Sequence, residues 1–511
     1  MSSAAKLYDM VLSHRFRLWH LPRIEQAGAQ RGRGCQEQIL TLRLLIDFTR
    51  HKKRQLYILF VDYCKAYDKV DRMKLLRYLD RRGCGSKFLA ALKSSYEKTS
   101  AQIGSSSFTA TAGVRQGAST SCPLFIFFLE PTIDAVCQLG PDDWLGNLHT
   151  LLLMDDTVLL ATSRQQMSIK LATLKRTADA IGMTINESKS QFICINSDNK
   201  EPFIADEVTI RNTDSYTYLG TPISSKCLKE QVKDHIRGKT RHALKFASFL
   251  SKNFDAPYVA KKIVWSSALK AAIFYSCETW LTLDLRAAEY IYNSTLKNLL
   301  SVRGTTCNDI VFAECGEFGA KSHIRNLQIL FLKKLISQDY YQGSYLEMVM
   351  NLAMQSRCPA GKVLHQLLQT NVDYKSQERD RVHSLISSST NSTRRLAYRA
   401  LNPTLSVHEA YLSLEVPESD RIAFTRIRLS SHHLSFEKGR WSRIPAENRF
   451  CPCGAIQSDT HVMLQCPYTQ AARDAVSVPN GCADLAELFN TMSTKSICTL
   501  CKAVLNCKDY A

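Results

Sequence analysis

The chain reads as an α+β unit that gives way to a mostly helical region, and three features carry this expectation. Short, dense apolar runs, LYILFV (56–61) and the two halves of LHTLLLMDDTVLLA (148–161), have the length of buried strands. Between them lie longer segments with apolar residues three and four apart, such as Leu75, Leu76 and Leu79, then Leu89, Leu92 and Tyr96. From about 227 to 380 the helical period dominates, and a cysteine-rich segment follows near the C-terminal end. A chain of 511 residues is too long for one compact core, so about two to four units are expected.

Taken in order, residues 1–55 are mainly helical, with apolar spacing in LYDMVLSHRFRLW and again in ILTLRLLIDFTR. Between these helices EQAGAQRGRGCQEQ is polar, and Arg31, Gly32, Arg33 and Gly34 suit a flexible basic loop. The strand at 56–61 ends abruptly at Asp62. Helical spacing returns over 71–98, followed by a strand-and-turn region, AQIGSSSFTATAGVRQG, and an apolar helix through PLFIFFLEPTIDAV. A helix (LATLKRTADAIG) and a strand (SQFICIN) complete the α+β unit near residue 225. The polar stretch 387–393 is the best linker candidate.

Apolar residues make up 45% of the chain, enough for a sizeable core. Lys and Arg outnumber Asp and Glu by 66 to 47, a net charge of +19. Such an excess suits a polyanionic partner, because neutralising phosphates releases condensed counterions. A highly soluble basic protein with no such partner would carry the same excess. The opening MSSAAKLYDMVLSHRFRLWH is broken by charges and lacks the apolar core of a secretory signal. No apolar run approaches the roughly 18–20 residues that span a bilayer. The expectation is an intracellular protein, nuclear or cytoplasmic, with no membrane partner. The 18 cysteines are scattered, mostly within apolar segments, and read as reduced thiols rather than a disulfide framework.

The strongest chemical signal is the pair Asp155–Asp156, flanked by two apolar strands with no basic residue nearby to neutralise it. Adjacent carboxylates repel, and a cation is the usual remedy. Asp62, at the end of another buried strand, could supply a third ligand for a two-metal Mg²⁺ site. Taken alone, an Asp-Asp turn can equally be a plain connection between strands.

The order of segments decides between these readings. FVDYCKAYDKVD (60–71), GVRQGASTSCPLFIFFLEP (113–131), LLLMDDTVLLA (151–161), GMTINESKSQ (182–191) and YTYLGTPIS (216–224) follow one another at plausible spacings. They resemble the successive palm motifs of non-LTR (LINE-like) retrotransposon reverse transcriptases, and EQAGAQRGRGCQEQILTLR is similar to the fingers segment that precedes them. The resemblance covers residues 1 to 225. It implies a right-hand polymerase fold, with partial fingers over 1–55, a palm over 56–225, a helical thumb and connection over 226–385, and a C-terminal unit over 394–511. The activity it implies is RNA-directed DNA polymerisation, extending a DNA primer on an RNA template from deoxynucleoside triphosphates with two Mg²⁺ ions.

Carried over by position, the resemblance implies that Asp62, Asp155 and Asp156 bind the catalytic metals. Tyr67 resembles the steric gate that excludes a ribose 2′-hydroxyl, the alternative being core packing. Gln116 and Gly117 resemble the motif along the incoming nucleotide and template base, although Gly113 and Gly117 would also suit a simple turn. Lys189 resembles the lysine that assists pyrophosphate departure, while Tyr218, Leu219 and Gly220 resemble the hairpin that grips the primer. Asp68 reads as a structural or capping carboxylate leading into the helix at 71. Leu153 departs from the family, which usually has an aromatic there; altered efficiency is expected, with the metals retained. The chain also opens without the family's upstream Arg-Pro fingers segment and without an endonuclease, so a truncated frame is expected. The alternative function is a remnant that binds nucleic acid without polymerising. A group II intron maturase is a third reading, disfavoured by the LINE-like C-terminal segment.

Two further segments suit nucleic acid. Lys233, Arg237, Arg241 and Lys245 recur every four residues, opposite Val232, Ile236, Ala243 and Phe246, as on a thumb helix tracking phosphates; a solvated helix face is the plainer alternative. Gly238 weakens the expectation of one continuous helix. In RFCPCGAIQSDTHVMLQCP, Cys451, Cys453, His461 and Cys466 suffice for tetrahedral Zn²⁺, the alternative being reduced buried thiols. Such a Cys-Cys-His-Cys group resembles the C-terminal segment of LINE-like polyproteins. Flanked by Arg440, Trp441 and Arg443, it would suit single-stranded RNA. Cys498, Cys501 and Cys507 read as residues of one helix face.

Overall fold

A computed structural model describes residues 2–97, 100–225, 228–253, 256–282, 284–389, 393–402 and 410–510. The chain divides into two compact units. The first comprises Met1–Val232, Glu278–Leu283 and Ile329–Thr370, and the second Lys233–Cys277, Asp284–Gln328 and Asn371–Ala511.

The first unit begins with α1 (Ser3–Trp19) and α2 (Cys35–Lys52), which lead into β1 (Leu56–Val61). Then come α3 (Arg72–Arg81), α4 (Ser86–Glu97), the hairpin of β2 (Ser100–Ile103) and β3 (Ser106–Thr109), and α5 (Ser121–Cys137). A second hairpin, β4 (Thr150–Leu153) and β5 (Asp156–Ala161), precedes α6 (Arg164–Ile181) and β6 (Gln191–Ile195). The strands β7 (Phe203–Ala205), β8 (Val208–Asn212), β9 (Ser215–Tyr218) and β10 (Thr221–Ser224) follow; α7 (Leu228–Lys252) comes next, its residues from Lys233 onward belonging to the second unit.

Six strands form one sheet in the order β4-β5-β1-β6-β8-β7, antiparallel except between β6 and β8. β1 is central and buried along its whole length, which explains why it reads as a continuous apolar run rather than an alternating one. Tyr57, Leu59 and Val61 join a core with Phe125, Phe127 and Phe128 of α5 and Leu171 and Leu174 of α6. The alternate residues Ile58 and Phe60 are equally buried, and Phe60 stacks on Tyr216 with ring centroids 4.1 Å apart. α6 is bounded by Ser163, whose hydroxyl accepts from the Gln166 N–H, and by Gly182 in the left-handed region.

The segment expected as a flexible basic loop is instead an ordered strap along the edge strand β4. The Ala27 N–H donates to the Leu152 carbonyl at 2.8 Å and the Leu152 N–H to the Glu25 carbonyl at 3.0 Å. Arg33 donates to the carbonyls of Ile24 and Gln26 and pairs with Glu37, both side chains being buried. A buried guanidinium is tolerable only when its donors are matched in this way. An Arg-Gly-rich string looks solvated because its partners lie outside it.

Two helices from well beyond the α+β segment, Tyr345–Ser356 and Pro359–Gln369, also belong to the first unit and pack on α2. The Ala360 N–H donates to the Asp47 carboxylate at 2.8 Å.

The second unit is helical, with Arg286–Leu300, Asn308–Cys315, Glu418–Arg428 and Thr494–Leu505 among its elements. Its buried Glu314 accepts from Arg428 at 2.8 Å, Tyr398 at 2.9 Å and Tyr411 at 2.6 Å. This carboxylate is buried because its lone pairs are met, and losing Arg428 would cost about 3–5 kcal/mol. Of the proposed linker 387–393, residues 390–392 lie outside the described residues; Ser387 closes one helix and Thr393 opens the next.

Candidate active site and thiolate cluster

The β4–β5 turn consists of Met154 and Asp155, closed by the pair Leu153↔Asp156. β1 pairs with β5 up to Val61↔Thr157, and one step further along that register Asp62 faces Asp156. Three carboxylates therefore gather at one end of adjacent strands. The electrostatics record their proximity. Crowding by protein atoms and the charges of Asp155 and Asp62 push the Asp156 carboxyl up to about 6, although its side chain opens to solvent. Asp155 is also raised, first by burial and then by the charge of Asp62. A cluster that resists its own ionisation suits a divalent cation, and hard carboxylate oxygens are the donors Mg²⁺ prefers.

Asn186 holds the first of these carboxylates, a role its sequence context did not signal. Its Nδ2 donates to Asp62 Oδ2 at 2.9 Å and its N–H to the Asp62 carbonyl at 2.7 Å. The Ser188 hydroxyl donates to Asn186 Oδ1 at 2.8 Å, which fixes which end of the amide faces Asp62. The Asp62 N–H in turn donates to Ser190 Oγ at 3.0 Å.

Around this cluster, Tyr67 stacks on Phe125 with centroids 4.3 Å apart and planes 15° from parallel. Burial raises its hydroxyl pKa, as do the nearby Cys122 and the charge of Asp155. The loop holding Gln116 and Gly117 docks on the Tyr67–Val70 segment through Gly113 N–H to Val70 O at 2.8 Å and Val114 N–H to Tyr67 O at 3.0 Å. Gly113 takes a φ of +79°, and a Cβ there would lie 3.0 Å from Asp68 Cα. Gln116 donates to the Asp68 carboxylate at 3.3 Å. Of the two readings of Asp68, the structural one agrees with this bond and the capping one does not. Asp71 caps α3, accepting from the N–H groups of Met73 and Lys74, because it sits at the position whose side chain reaches the first free donors. Lys189 is exposed on the loop between Asn186 and β6.

The β9–β10 hairpin turns on Leu219 and Gly220, both at positive φ (46° and 73°), the geometry of a primed hairpin turn. Tyr218 is buried with its ring centroid 5.6 Å from that of Phe60, and burial followed by the charge of Asp156 drives its hydroxyl pKa well up.

In α7 the expected helix runs without a break through Gly238. Arg237, Arg241 and Lys245 are exposed and Lys233 is half-buried; Asp234 lies 3.8 Å from Arg237. Ile236 is buried whereas Phe246 is largely exposed, so the apolar face is only partly covered; the side chains of Val232 and Ala243 lie outside the described residues.

The second unit brings Cys451, Cys453, His461 and Cys466 together, with one ligand atom from each lying within 4.8 Å of the others. Cys451 Sγ and Cys466 Sγ are 3.6 Å apart, and Cys453 Sγ is 3.2 Å from His461 Nε2. Tetrahedral Zn²⁺ with bonds of about 2.3 Å to sulfur places thiolates roughly 3.7 Å apart, so the donor set fits. The cluster is a metal-capable site whose ion the geometry does not name. Nearby, Arg440 pairs with the buried Glu437, and the exposed Trp441 carries the Arg303 guanidinium 3.7 Å above its ring, so one stacking face is already taken. Cys498 and Cys501 are buried on the helix Thr494–Leu505, whereas Cys507 lies just beyond its end.

A mixed sheet backed by helices, with carboxylates meeting at the ends of its central strands, fits a nucleic-acid polymerase fold. Residues 1–223 match the family model described as reverse transcriptase (RNA-dependent DNA polymerase). Over that stretch, less than half of its length, the chain is similar to reverse transcriptases. It is similar to the retrovirus-related Pol polyprotein from type-1 retrotransposable element R2 of Popillia japonica. The two are 26% identical over 220 residues, which covers 39% of this chain and 31% of the relative. The chain thus spans under a third of that protein's length. Solved structures of telomerase from Candida tropicalis and Candida albicans, each in complex with a fragment of telomeric RNA, are 11% identical. Their TM-scores are 0.31 and 0.30, covering 68% and 72% of this chain and 57% of each of theirs. A likeness that slight has no bearing on the fold. Among the described residues no helix is long and apolar enough to cross a membrane.

Proposed function

We propose that the chain is an RNA-directed DNA polymerase that extends a DNA primer on an RNA template. The observation that supports this most directly is the meeting of Asp62, Asp155 and Asp156 at the strand ends, with the carboxyl of Asp156 pushed up by crowding and then by the charges of Asp155 and Asp62. In this reading those three side chains hold two Mg²⁺ ions, which when bound activate the primer 3′-hydroxyl and balance charge on the leaving pyrophosphate.

The remaining roles belong to the chain's own groups. Tyr67, held flat against Phe125, presents a rigid ring that rejects a 2′-hydroxyl by volume. Gln116 and Gly117, anchored through Asp68, lie along the incoming deoxynucleotide and template base. Lys189, exposed on its loop, offers a cation and a proton to the departing pyrophosphate. Tyr218, Leu219 and Gly220 set the primer strand, and Lys233, Arg237, Arg241 and Lys245 on α7 follow the phosphates of the hybrid. The domains follow as partial fingers, palm, thumb and connection, and a C-terminal unit, with intracellular action in nucleus or cytoplasm. Cys451, Cys453, His461 and Cys466 hold Zn²⁺, ordering a segment that serves single-stranded RNA.

The test is primer extension by the purified chain on poly(A) with an oligo(dT) primer, Mg²⁺ and labelled dTTP. The wild type incorporates label, and the Asp155→Asn, Asp156→Asn double variant loses at least about a thousandfold, since one removed ligand already unsettles a two-metal clamp. Hybrid binding without incorporation by the wild type leaves a template-binding remnant instead.

A further inference from the structure

The polymerase reading explains the three carboxylates but not what aims the turn that carries Asp155 and leads into Asp156. Met154, the first residue of that turn, sits at φ +59°, a conformation that residues other than glycine, asparagine and aspartate rarely adopt. Its backbone direction sets where Asp155, the next residue, points. Something outside the turn must hold this conformation.

The holder is a single buried amide from the strap. The Met154 N–H donates to Gln26 Oε1 at 2.8 Å, and Gln26 Nε2 donates to the Met154 carbonyl at 3.2 Å. Both polar groups of the strained residue are thereby engaged by one side chain. The Gly28 N–H donates to the same Oε1 at 2.7 Å, so the amide has only one workable orientation. Gln26 itself is 2% exposed and pairs by a parallel bridge with Leu152 of β4. Gln38 braces the same edge, its Nε2 donating to the carbonyls of Leu152 and Glu25 at 3.1 Å each. Gly28 gives independent witness to how close the strap comes. A Cβ there would lie 2.6 Å from the Met154 nitrogen and 2.8 Å from its sulfur. No residue but glycine fits without pushing the turn.

We propose that Gln26 is a positioning residue for the proposed metal site: its carboxamide clamps Met154 and so fixes the Asp155 carboxylate. This rests on the reading of Asp155 and Asp156 as metal ligands. Groups that orient ligands from behind govern metal affinity and turnover without touching the reacting atoms.

The experiment compares the full wild-type chain with Gln26→Met, which keeps the side-chain volume but loses both hydrogen bonds, and with Gln26→Glu. Glutamate keeps the acceptor for Met154 and Gly28 but loses the donor to the Met154 carbonyl. Two readouts are taken: steady-state dTTP incorporation on poly(A)/oligo(dT), and Mn²⁺ binding without nucleic acid by electron paramagnetic resonance, with Asp155→Asn as the reference for site loss. Gln26→Met is expected to lower kcat by on the order of 10- to 100-fold while the KM for dTTP stays within about twofold, and to weaken Mn²⁺ binding by roughly tenfold or more. Gln26→Glu falls between it and wild type. A Gln26→Met protein with wild-type kcat and Mn²⁺ affinity overturns the proposal. So does a variant whose only change is a lower melting temperature. If the wild type incorporates nothing, the polymerase reading fails alone, and the Mn²⁺ titration still decides for or against Gln26.

Discussion

The carboxylate cluster of the first unit and the Cys/His cluster of the second both gather side chains able to ligate an ion, yet they are built in opposite ways. Asp62 and Asp155 lie far apart in sequence and are brought together by a sheet whose strands are buried regardless of any ion. Cys451, Cys453, His461 and Cys466 lie within one short stretch, whose regular structure amounts to a bridge between Phe450 and Ile456 and a π turn at His461–Gln465. In the first case the fold forces like charges together, and an ion relieves a cost that folding has imposed. In the second the ligands converge locally, and an ion supplies cohesion that so short a stretch cannot draw from its own core.

The largest effect that tests this contrast is metal removal. Stripping the purified chain with a chelator is expected to open 450–466, raising amide exchange there by at least about tenfold, since structural zinc contributes folding free energy outright. Exchange in β1 and β5 stays unchanged. Equal protection at 450–466 before and after chelation would break the comparison and return those cysteines to the class of buried thiols.

A smaller effect is expected at Asn186, which orients Asp62 through its Nδ2. Replacing it with Ala frees the carboxylate to rotate and should cost about 10- to 100-fold in kcat with little change in stability, because the loop keeps its backbone hydrogen bond to the Asp62 carbonyl. Steady-state kinetics beside a melting curve separates the two. A variant with wild-type kcat would mean that the strand end alone aims Asp62.

What the sequence disclosed follows the same division. The carboxylates were legible because each ends or interrupts an apolar run, so the residue type contradicts its surroundings. The thiolates were legible because their spacing is local. Gln26 and Asn186 were not, since an amide looks like any polar loop residue until its partner, more than a hundred positions away, is in place. Arg33 misled for the same reason: its partners Glu37 and the carbonyls of Ile24 and Gln26 exist only once the strap is laid down. Asp68 and Asp71 both suit a cap, and only the path of the chain into α3 chooses the second. The two helices between 345 and 369 carry an ordinary amphipathic pattern, which says that they pack but not that α2 is what they pack on.

The smallest effect bears most directly on the cost at the carboxylate site. Asp156 has its carboxyl raised from 3.8 to about 6, by crowding first and then by Asp155 and Asp62. A raised carboxyl binds its proton more tightly in the folded than in the unfolded chain, so this group destabilises the ion-free protein as pH climbs from 4 through 6. Asp156→Asn removes the penalty. It should be more stable than wild type at pH 7.5 by about 1 kcal/mol, a figure reduced for the side chain's access to solvent. The difference should vanish near pH 4, where wild type is protonated, and Mg²⁺ should narrow it at pH 7.5 by stabilising wild type alone. Urea unfolding at the two pH values, with and without Mg²⁺, measures all three. A variant less stable than wild type at pH 7.5 without metal would show that the carboxylates are not in conflict, and the distinction between a site that relieves strain and one that supplies cohesion would fall with it.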